Sequence, residues 1–533
     1  MSGWLAIILA LAVGSEIDIV VVRPQSWSPS IQAWKTHREQ QGFRVIEIAP
    51  EATAESTRES IRIVSQPSPE RLQYILLAAD APSFINRDQT DPSNEVIPTF
   101  YVDSKVVKHF GSEPTIASDY PYADFEQDGR FRAAVGRVPA NTANELQNYL
   151  ARVIAYENFA SYKPWRREVD IIAGVGGFGA IADAVVEGAT RQLLTNDIPQ
   201  EFRLSMTYAS PTSVYYPAPT RFSEAAIQRM NDGGLFWVYL GHGYVDTLDY
   251  IPFENRRLPI LDRSMLNMVS ISAGPPIGIF LACYVGAYDA RETSMAEQLL
   301  MHSNGPIAII AGSRVTMPYG MGVLGGEMLD ECFQMKTESI GKILLHAKRN
   351  AVKENKAAHE SNVEAPASRR ELLDSMAKAL SPEGHSIVDE RLEHNSLFNL
   401  LGDPVLHISH PRPLAIEIPE AVFAGSELKV RGHSPIAGKL VVELVYTRQR
   451  IPEAAIELRT AKNDMDPLDR MQAVYEAANL LTLSQTELLT KAGDFEIALP
   501  IDARCHGSYR IQASVYSSNA WSTGSNPIKV KRN

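Results

Sequence analysis

The sequence has little cysteine and few long apolar segments. Only three cysteines occur, Cys283, Cys332 and Cys505, without a CxxC pair or a metal-type spacing of cysteine and histidine. This argues against a disulfide framework and against a zinc knuckle. Cys332 lies in a helical pattern and Cys505 lies in a turn beside His506, so we expect both to be structural. Beyond the amino terminus, no apolar run is long enough to span a bilayer.

Positive charge is also scarce. Lysine and arginine number 51 against 63 aspartates and glutamates, which gives a formal net charge of −12. Because nucleic-acid binding needs a basic surface, we expect no nucleic-acid partner. With 45% hydrophobic residues the chain can bury an ample core, and its length predicts roughly two to four domains.

The amino terminus has the pattern of a secretory signal. Residues 4–13 are apolar but too few to cross a bilayer, and small residues and an acid follow them. This predicts a signal peptide over residues 1–15, no transmembrane span in the mature chain, and a secreted, periplasmic or cell-surface location. The segment has no lysine or arginine. An apolar first strand or a membrane-associated tail therefore stays open as an alternative.

Strand and helix patterns alternate along the first part of the chain. Buried-type strands are EIDIVVV at residues 16–22, FRVIEI at residues 43–48 and LQYILLA at residues 72–78, with helical patterns between them. This order is typical of a parallel sheet covered by helices on both faces. A long polar loop follows, and a lysine-proline step predicts a boundary at residue 163. The first predicted subdomain therefore covers residues 16–163.

A second α/β subdomain is predicted over residues 164–410 and a β-sandwich over residues 411–533. The second subdomain again alternates apolar strands with helices, one of which Ser223 is expected to cap. After residue 410 the pattern changes to short alternating strands and turns, with a helix-like insertion near residues 467–480. That pattern is typical of a sandwich of two sheets. We expect no catalytic residues in it.

Two apolar strands of the second subdomain end on reactive side chains. The stretches LFWVYLGHG and IGIFLACY place His242 and Cys283 directly after buried-type strands. The separation between them leaves room for one crossover and a parallel return strand, and parallel strands end at the same edge of a sheet. A thiol and an imidazole at that edge would form a nucleophile and its general base. Taken singly, each residue is more often structural.

The segments around these residues resemble the gingipain-type cysteine peptidases of the caspase-like clan. Besides the GHG and AC motifs, four segments match the family's motifs in order: SDYPYA at residues 118–123, VGRVP at residues 135–139, GPIAIIAG at residues 305–312 and LGDP at residues 401–404. The resemblance covers residues 16–408. It implies caspase-like parallel sheets in two subdomains followed by an immunoglobulin-like sandwich, and a peptidase acting on proteins or peptides.

The resemblance implies a catalytic role for three residues. His242 would be the general base and Cys283 the nucleophile, and the backbone N–H groups of Gly243 and Cys283 would form the oxyanion hole. This reaction requires no cofactor. Calcium would be a structural ion, as it is in relatives.

The resemblance also implies residues of the substrate pocket. Asp183 aligns with the acid that holds a basic P1 side chain in arginine-specific relatives, and Met317 and Tyr319 would line the same pocket. The alternative for Asp183 is a helix N-terminal acid favoured by the helix dipole.

One position departs from the family pattern. In the best-known relatives a glutamate before a Gly-Gly step orients the histidine, whereas here Val175 precedes Gly176 and Gly177. The departure favours a second hypothesis, a catalytically weak relative that serves as a binding or assembly module of the cell envelope. Gly174, Gly176 and Gly179 also form a GxGxxG pattern. The acid that should end the next strand of a dinucleotide site is missing, so a nucleotide-dependent enzyme is disfavoured.

Overall fold

A ten-stranded sheet lies at the centre of the protein. The computed structural model describes residues 17–66, 69–84, 95–158, 164–176, 197–353, 369–461 and 464–532. The strands up to residue 410 are β1 (Ile19–Val22), β2 (Val45–Ile48), β3 (Tyr74–Leu77), β4 (Phe100–Asp103), β5 (Thr115–Ser118), β6 (Ala134–Arg137), β7 (Glu168–Ala173), β8 (Arg203–Tyr208), β9 (Phe236–Leu240), β10 (Tyr250–Phe253), β11 (Arg256–Pro259), β12 (Ile277–Leu281), β13 (Ala308–Gly312) and β14 (Phe398–Leu401).

Helices cover both faces of this sheet, as the alternating sequence pattern predicts. They are α1 (Gln32–Gln40), α2 (Ala54–Ser65), α3 (Ala143–Glu157), α4 (Phe222–Asn231), α5 (Met295–Met301), α6 (Pro318–Leu329), α7 (Ile340–Ala351), α8 (Arg369–Leu380) and α9 (Ile387–Leu397). One continuous apolar core joins them to the sheet. No helix in the described part of the chain is long and apolar enough to cross a membrane.

The sheet consists of two parallel groups of strands with β14 between them. The strand order is β2-β1-β3-β6-β14-β13-β12-β9-β7-β8. β14 runs antiparallel to β13 and makes a parallel contact with β6. The two groups therefore run in opposite directions, and their carboxyl ends lie at opposite edges. The α/β class is confirmed, whereas the boundaries at residues 163 and 410 stay predictions.

Buried charges hold the connections to this sheet. Arg137 of β6 donates two hydrogen bonds to the Asp119 carboxylate, at 2.7 and 2.8 Å. Asp403, just after β14, accepts from Trp34 at 2.5 Å and from Arg38 at 2.6 Å. These acids and Arg137 lie in three of the motifs that suggested the family. Removing one partner of a buried pair costs about 3–5 kcal/mol, so these motifs have a structural role.

The carboxyl-terminal region is a sandwich of two sheets. Its strands are β15 (Arg412–Pro413), β16 (Ala415–Glu417), β17 (Ala421–Phe423), β18 (Glu427–Ser434), β19 (Gly438–Tyr446), β20 (Thr482–Thr490), β21 (Gly493–Pro500), β22 (Gly507–Tyr516) and β23 (Trp521–Lys531). One sheet has the order β15-β23-β22-β19-β20, with β17 also paired to β23, and the other has the order β16-β18-β21. Alternating buried and exposed residues along β18 and β21 explain the single apolar face.

The sandwich covers the outer edge of the large sheet. Two helices inserted after β19 are α10 (Glu453–Thr460) and α11 (Pro467–Ala478). Asn479, directly after α11, accepts from the Met206 N–H at 2.9 Å and donates to the Met206 carbonyl at 3.0 Å. Its side chain thereby satisfies backbone groups of β8 that would otherwise be open to pairing with another strand.

Four local expectations have different outcomes. The amphipathic pattern of residues 143–157 predicts a helix, and α3 has these bounds. Ser223 is not an N-cap, because α4 begins at Phe222 and the Ser223 hydroxyl donates to the Pro259 carbonyl at 2.6 Å. The sequence pattern also predicts a helix over residues 181–194, and that segment and the predicted signal peptide lie outside the described residues.

Asp170 of β7 gives the sheet a pH-dependent stability. Burial raises the pKa of this carboxyl to about 7, while a hydrogen bond from Ser205 and the charge of Arg229 act in the opposite direction. The native state therefore binds a proton that the unfolded chain releases near pH 4, and this contribution to stability is lost as the pH rises through 7.

We expect Asp170→Asn to remove this dependence. Between pH 5 and pH 8 the free energy of unfolding of the variant should gain about 2–3 kcal/mol relative to the parent protein. Denaturant unfolding at both pH values measures this change. Asp469→Asn, at an exposed position, is the control and should show no gain. An equal pH dependence in the parent protein and in Asp170→Asn would contradict the assignment.

Candidate active site

Two neighbouring strand ends bring His242 and Cys283 to one edge of the sheet. β9 and β12 are parallel, and Leu240 pairs with Leu281 in their register. His242 and Cys283 each lie two residues beyond that pair, and both line the same cleft. A Cβ on Gly243 would lie 2.6 Å from the Cys283 carbonyl oxygen. Glycine at this position therefore allows the two strand ends to approach closely.

The cleft beside these residues has a volume of about 1210 Å³. Met317 and Tyr319 line it together with His242 and Cys283, and the sandwich contributes Arg448 to its wall. Further apolar lining comes from Val175, Met206, Leu240, Leu281, Val315, Met321 and Leu373. The structure thus brings four of the predicted site residues to one cavity. Asp183 lies outside the described residues.

The Cys283 sulfur contacts Thr316. The Thr316 backbone N–H donates to Sγ at 3.3 Å, and the Thr316 hydroxyl lies 3.6 Å from Sγ. Thr316 follows β13, the strand next to β12. An N–H group aimed at the sulfur would bind its anionic form as a donor. Sequence reasoning missed Thr316, although its place just after a third neighbouring strand is a signal for it.

A tight turn follows Cys283. Tyr284 has φ of +57°, and the Val285 N–H donates to the Cys283 carbonyl at 2.8 Å. A side chain in this left-handed region costs about 1–2 kcal/mol. Contacts on both sides of Tyr284 offset the cost: its N–H donates to the Arg314 carbonyl at 3.1 Å, and its hydroxyl donates to Glu113 at 2.9 Å. The strain is therefore located directly beside the thiol.

A buried ion pair fixes the loop that supports this turn. Arg314 donates to both carboxylate oxygens of Asp289, at 2.8 and 2.6 Å, and both side chains are almost fully buried. Since the Arg314 carbonyl accepts from the Tyr284 N–H, the pair anchors the backbone next to Cys283.

His242 lies between two glycines, and buried polar groups surround its backbone. The Tyr239 hydroxyl donates to the His242 carbonyl at 2.8 Å. Gly241 has φ of +158°, and a Cβ there would lie 2.7 Å from the Tyr239 hydroxyl. Asp249 is 6% exposed and lies near His242; burial raises the pKa of the Asp249 carboxyl, and the charge of His242 opposes this rise. Sequence reasoning missed Asp249, since no strand pattern marks its position.

Two side chains of α9 hold the pocket wall from behind. The Met317 N–H donates to His394 Nε2 at 3.0 Å, and His394 Nδ1–H donates to the Glu390 carbonyl at 2.7 Å. The Gly320 N–H donates to the Glu390 carboxylate at 2.8 Å. The start of α6, with Met317 just before it and Tyr319 in its first turn, is thereby fixed at the cleft.

The other two cysteines have a different setting. Cys332 and Cys505 are 1% and 4% exposed, and burial raises the pKa of both thiols. Of the three cysteines, Cys283 is the one that is partly exposed. The expectation that Cys332 and Cys505 are buried structural residues agrees with these positions.

The described residues contain no group of three or more histidine, cysteine, aspartate and glutamate side chains suited to a metal ion.

Comparisons with known proteins agree with this architecture. The model of peptidase family C25 matches residues 13–409. The solved structure of the Arg specific cysteine proteinase gingipain R is 15% identical and covers 97% of this chain and 98% of its own, with a TM-score of 0.50. The complex of the pro- and mature domains of RgpB from Porphyromonas gingivalis is also 15% identical. The match covers 96% of this chain and 100% of the RgpB chain, with a TM-score of 0.50. At this identity the similarity shows the fold. No curated protein sequence matches the chain.

Proposed function

The chain belongs to peptidase family C25, and from that premise we propose that it is a cysteine endopeptidase with Cys283 as nucleophile and His242 as general base. The observation that carries the proposal is the parallel register of β9 and β12, which ends both strands at one cleft. Family membership makes proteins or peptides the substrates.

The proposed reaction is an acyl transfer in two steps. His242 takes the thiol proton, and the Cys283 sulfur attacks the scissile carbonyl carbon. The N–H groups of Gly243 and Cys283 bind the oxyanion of the tetrahedral intermediate. The imidazolium then protonates the leaving amine, which gives a thioester. Water activated by His242 hydrolyses this thioester, so the reaction needs no cofactor.

Thr316 has a supporting role in this proposal. Its N–H, 3.3 Å from Sγ, donates to the thiolate in the reactive state. A dyad with such a donor needs less activation than a serine nucleophile, because a thiolate forms more readily than an alkoxide.

Labelling of Cys283 tests the nucleophile and the base. We expect a peptidyl electrophile to modify Cys283 and expect His242→Ala to lose this labelling by on the order of 10²-fold or more, since general-base catalysis contributes that much. Peptide mapping by mass spectrometry identifies the modified residue. The matched control is His407→Ala, an exposed histidine outside the cleft, which should label at the parent rate. Modification of Cys332, or of no cysteine, would favour a binding or assembly module instead.

Asp183 is the proposed determinant of a basic P1 side chain. Glu390 is the acidic residue among the described residues of the cleft wall. Its carboxylate already has hydrogen bonds with the Gly320 N–H and with His385. A basic P1 side chain would therefore need an acid from elsewhere, and the resemblance to the family suggests Asp183 for this role.

A panel of peptide substrates with Arg, Lys, Leu or Asp at P1 tests this determinant. We expect the parent protein to prefer Arg or Lys and expect Asp183→Ala to reduce kcat/KM for those substrates at least 10-fold, because a buried charged contact is lost. Asp246→Ala, on the loop after β9, is the control. An unchanged preference in Asp183→Ala removes Asp183 from the pocket. A parent preference for Leu would mean that the apolar lining selects the side chain.

We also propose that the protein is exported, because residues 1–15 carry the signal pattern. Expression in a host with a periplasm should give a mature chain that begins between residues 13 and 16. Intact-mass measurement of the exported protein detects this cleavage. Retention of all the first 15 residues would contradict it.

A further inference from the structure

The chain after His242 turns back and places Asp249 opposite it. Gly243 and Leu248 form an antiparallel bridge. His242 and Asp249 are the next residues outward on either side of this bridge, and the charge of His242 acts on the Asp249 carboxyl. Residues directly opposite in an antiparallel pair have their Cβ atoms about 4.5–5.5 Å apart and on the same face. Backbone pairing thus brings an imidazole and a carboxylate together.

The Tyr239 hydroxyl joins the two residues. It donates to the His242 carbonyl at 2.8 Å and accepts from the Asp249 N–H at 3.3 Å. The Asp249 carbonyl in turn accepts from the Ile260 N–H at 2.7 Å. Tyr239 is fully buried. The backbone on both sides of the pair is therefore held in place.

The Asp249 carboxylate lies beside the segment that follows β7. Its Oδ2 would be 3.4 Å from a Cβ on Gly174, the residue before Val175. Oδ1 accepts from the Tyr250 N–H at 2.7 Å. Oδ2 is buried and makes no hydrogen bond of normal geometry with the described residues, and the Val175 N–H is the backbone group that acts on the carboxylate from the segment after β7. A buried carboxylate oxygen in this setting can accept a further hydrogen bond.

The charges around Asp249 favour a cationic donor. Burial raises the pKa of the carboxyl, and the Tyr250 N–H, the charge of His242, the Val175 N–H and Arg257 lower it. Other titratable groups that interact with neighbouring Tyr239 are Tyr244 and Cys283. An imidazolium formed when His242 takes the thiol proton would be attracted to this carboxylate.

We propose that Asp249 is the positioning residue of His242, and that its Oδ2 accepts a hydrogen bond from the imidazole. The inference rests on the proposed peptidase function, within which Asp249 supplies a carboxylate from the loop after β9. The hydrogen bond fixes the tautomer and the orientation of the ring, and it stabilises the imidazolium that forms during attack.

NMR titration of the His242 ring tests the pair without relying on turnover. The experiment uses the full chain with Cys283→Ala and labelled histidine, with the resonance assigned by His242→Gln. We expect Asp249→Asn to move the titration midpoint of His242 to lower pH by about one unit, because an adjacent negative charge is lost. Asp249→Glu should restore part of the shift. Asp246→Asn, with a partly exposed acid on the same loop, should leave the midpoint unchanged.

Kinetics provide the second measurement. In the active protein, Asp249→Asn should lower kcat on the order of 10-fold or more and leave KM nearly unchanged, because the general base is misoriented while substrate binding is intact. With Asp249 unaltered, a ring N–H resonance of His242 should be protected from exchange, which tests the pair even if Asp249→Asn does not fold.

An unchanged midpoint in Asp249→Asn, or rapid exchange of both ring protons in the unaltered chain, would overturn the proposal. A shifted midpoint in a protein whose Cys283 is not labelled would support the pair and contradict the peptidase function. The two failures are thus distinguishable.

Discussion

The register between β9 and β12 is the constraint on which the candidate site depends. Because Leu240 pairs with Leu281, the chains beyond this pair leave the sheet side by side and in the same direction. Glycine at position 243 removes the side chain that would hold them apart. A shift of register by one residue would turn the alternate side chains toward the cleft. The pairing of Leu240 with Leu281 and the glycine at position 243 therefore determine where the thiol and the imidazole lie.

Around this constraint the protein uses buried charges to fix irregular backbone. Arg314 and Asp289 hold the turn after Cys283, Arg137 and Asp119 hold the connection between β5 and β6, and Asp403 anchors α1. Each acid is buried and doubly bound. Such pairs contribute little net stability compared with apolar packing, but they leave one arrangement of the loop satisfied. The segments that identify the family are therefore of two kinds, those that present reactive groups and those that fix the scaffold.

The sequence predicts best what depends on local patterns. Apolar runs locate β1, β3, β9, β12 and β13, and the residues after two of these runs are those at the cleft. It predicts poorly what depends on how strands and loops are placed beside each other in the folded chain. Thr316 reaches Cys283 because β13 lies beside β12, and Asp249 reaches His242 because a short loop folds back. Neither contact leaves a periodic signal. Ser223 illustrates a local failure, since the Pro259 carbonyl takes the hydroxyl that would have capped a helix.

The placement of β14 between two groups of strands has a consequence for folding during synthesis. β6 and β13 both have an unpaired side until residues 398–401 are available, although 260 residues or more separate β6 from them. Translation proceeds at about 5–20 residues per second. The nascent chain therefore exposes two sheet edges for on the order of ten seconds, when other chains could add to them. Closure of the sheet comes late, and export in an unfolded state or a chaperone that covers these edges would protect the chain until then.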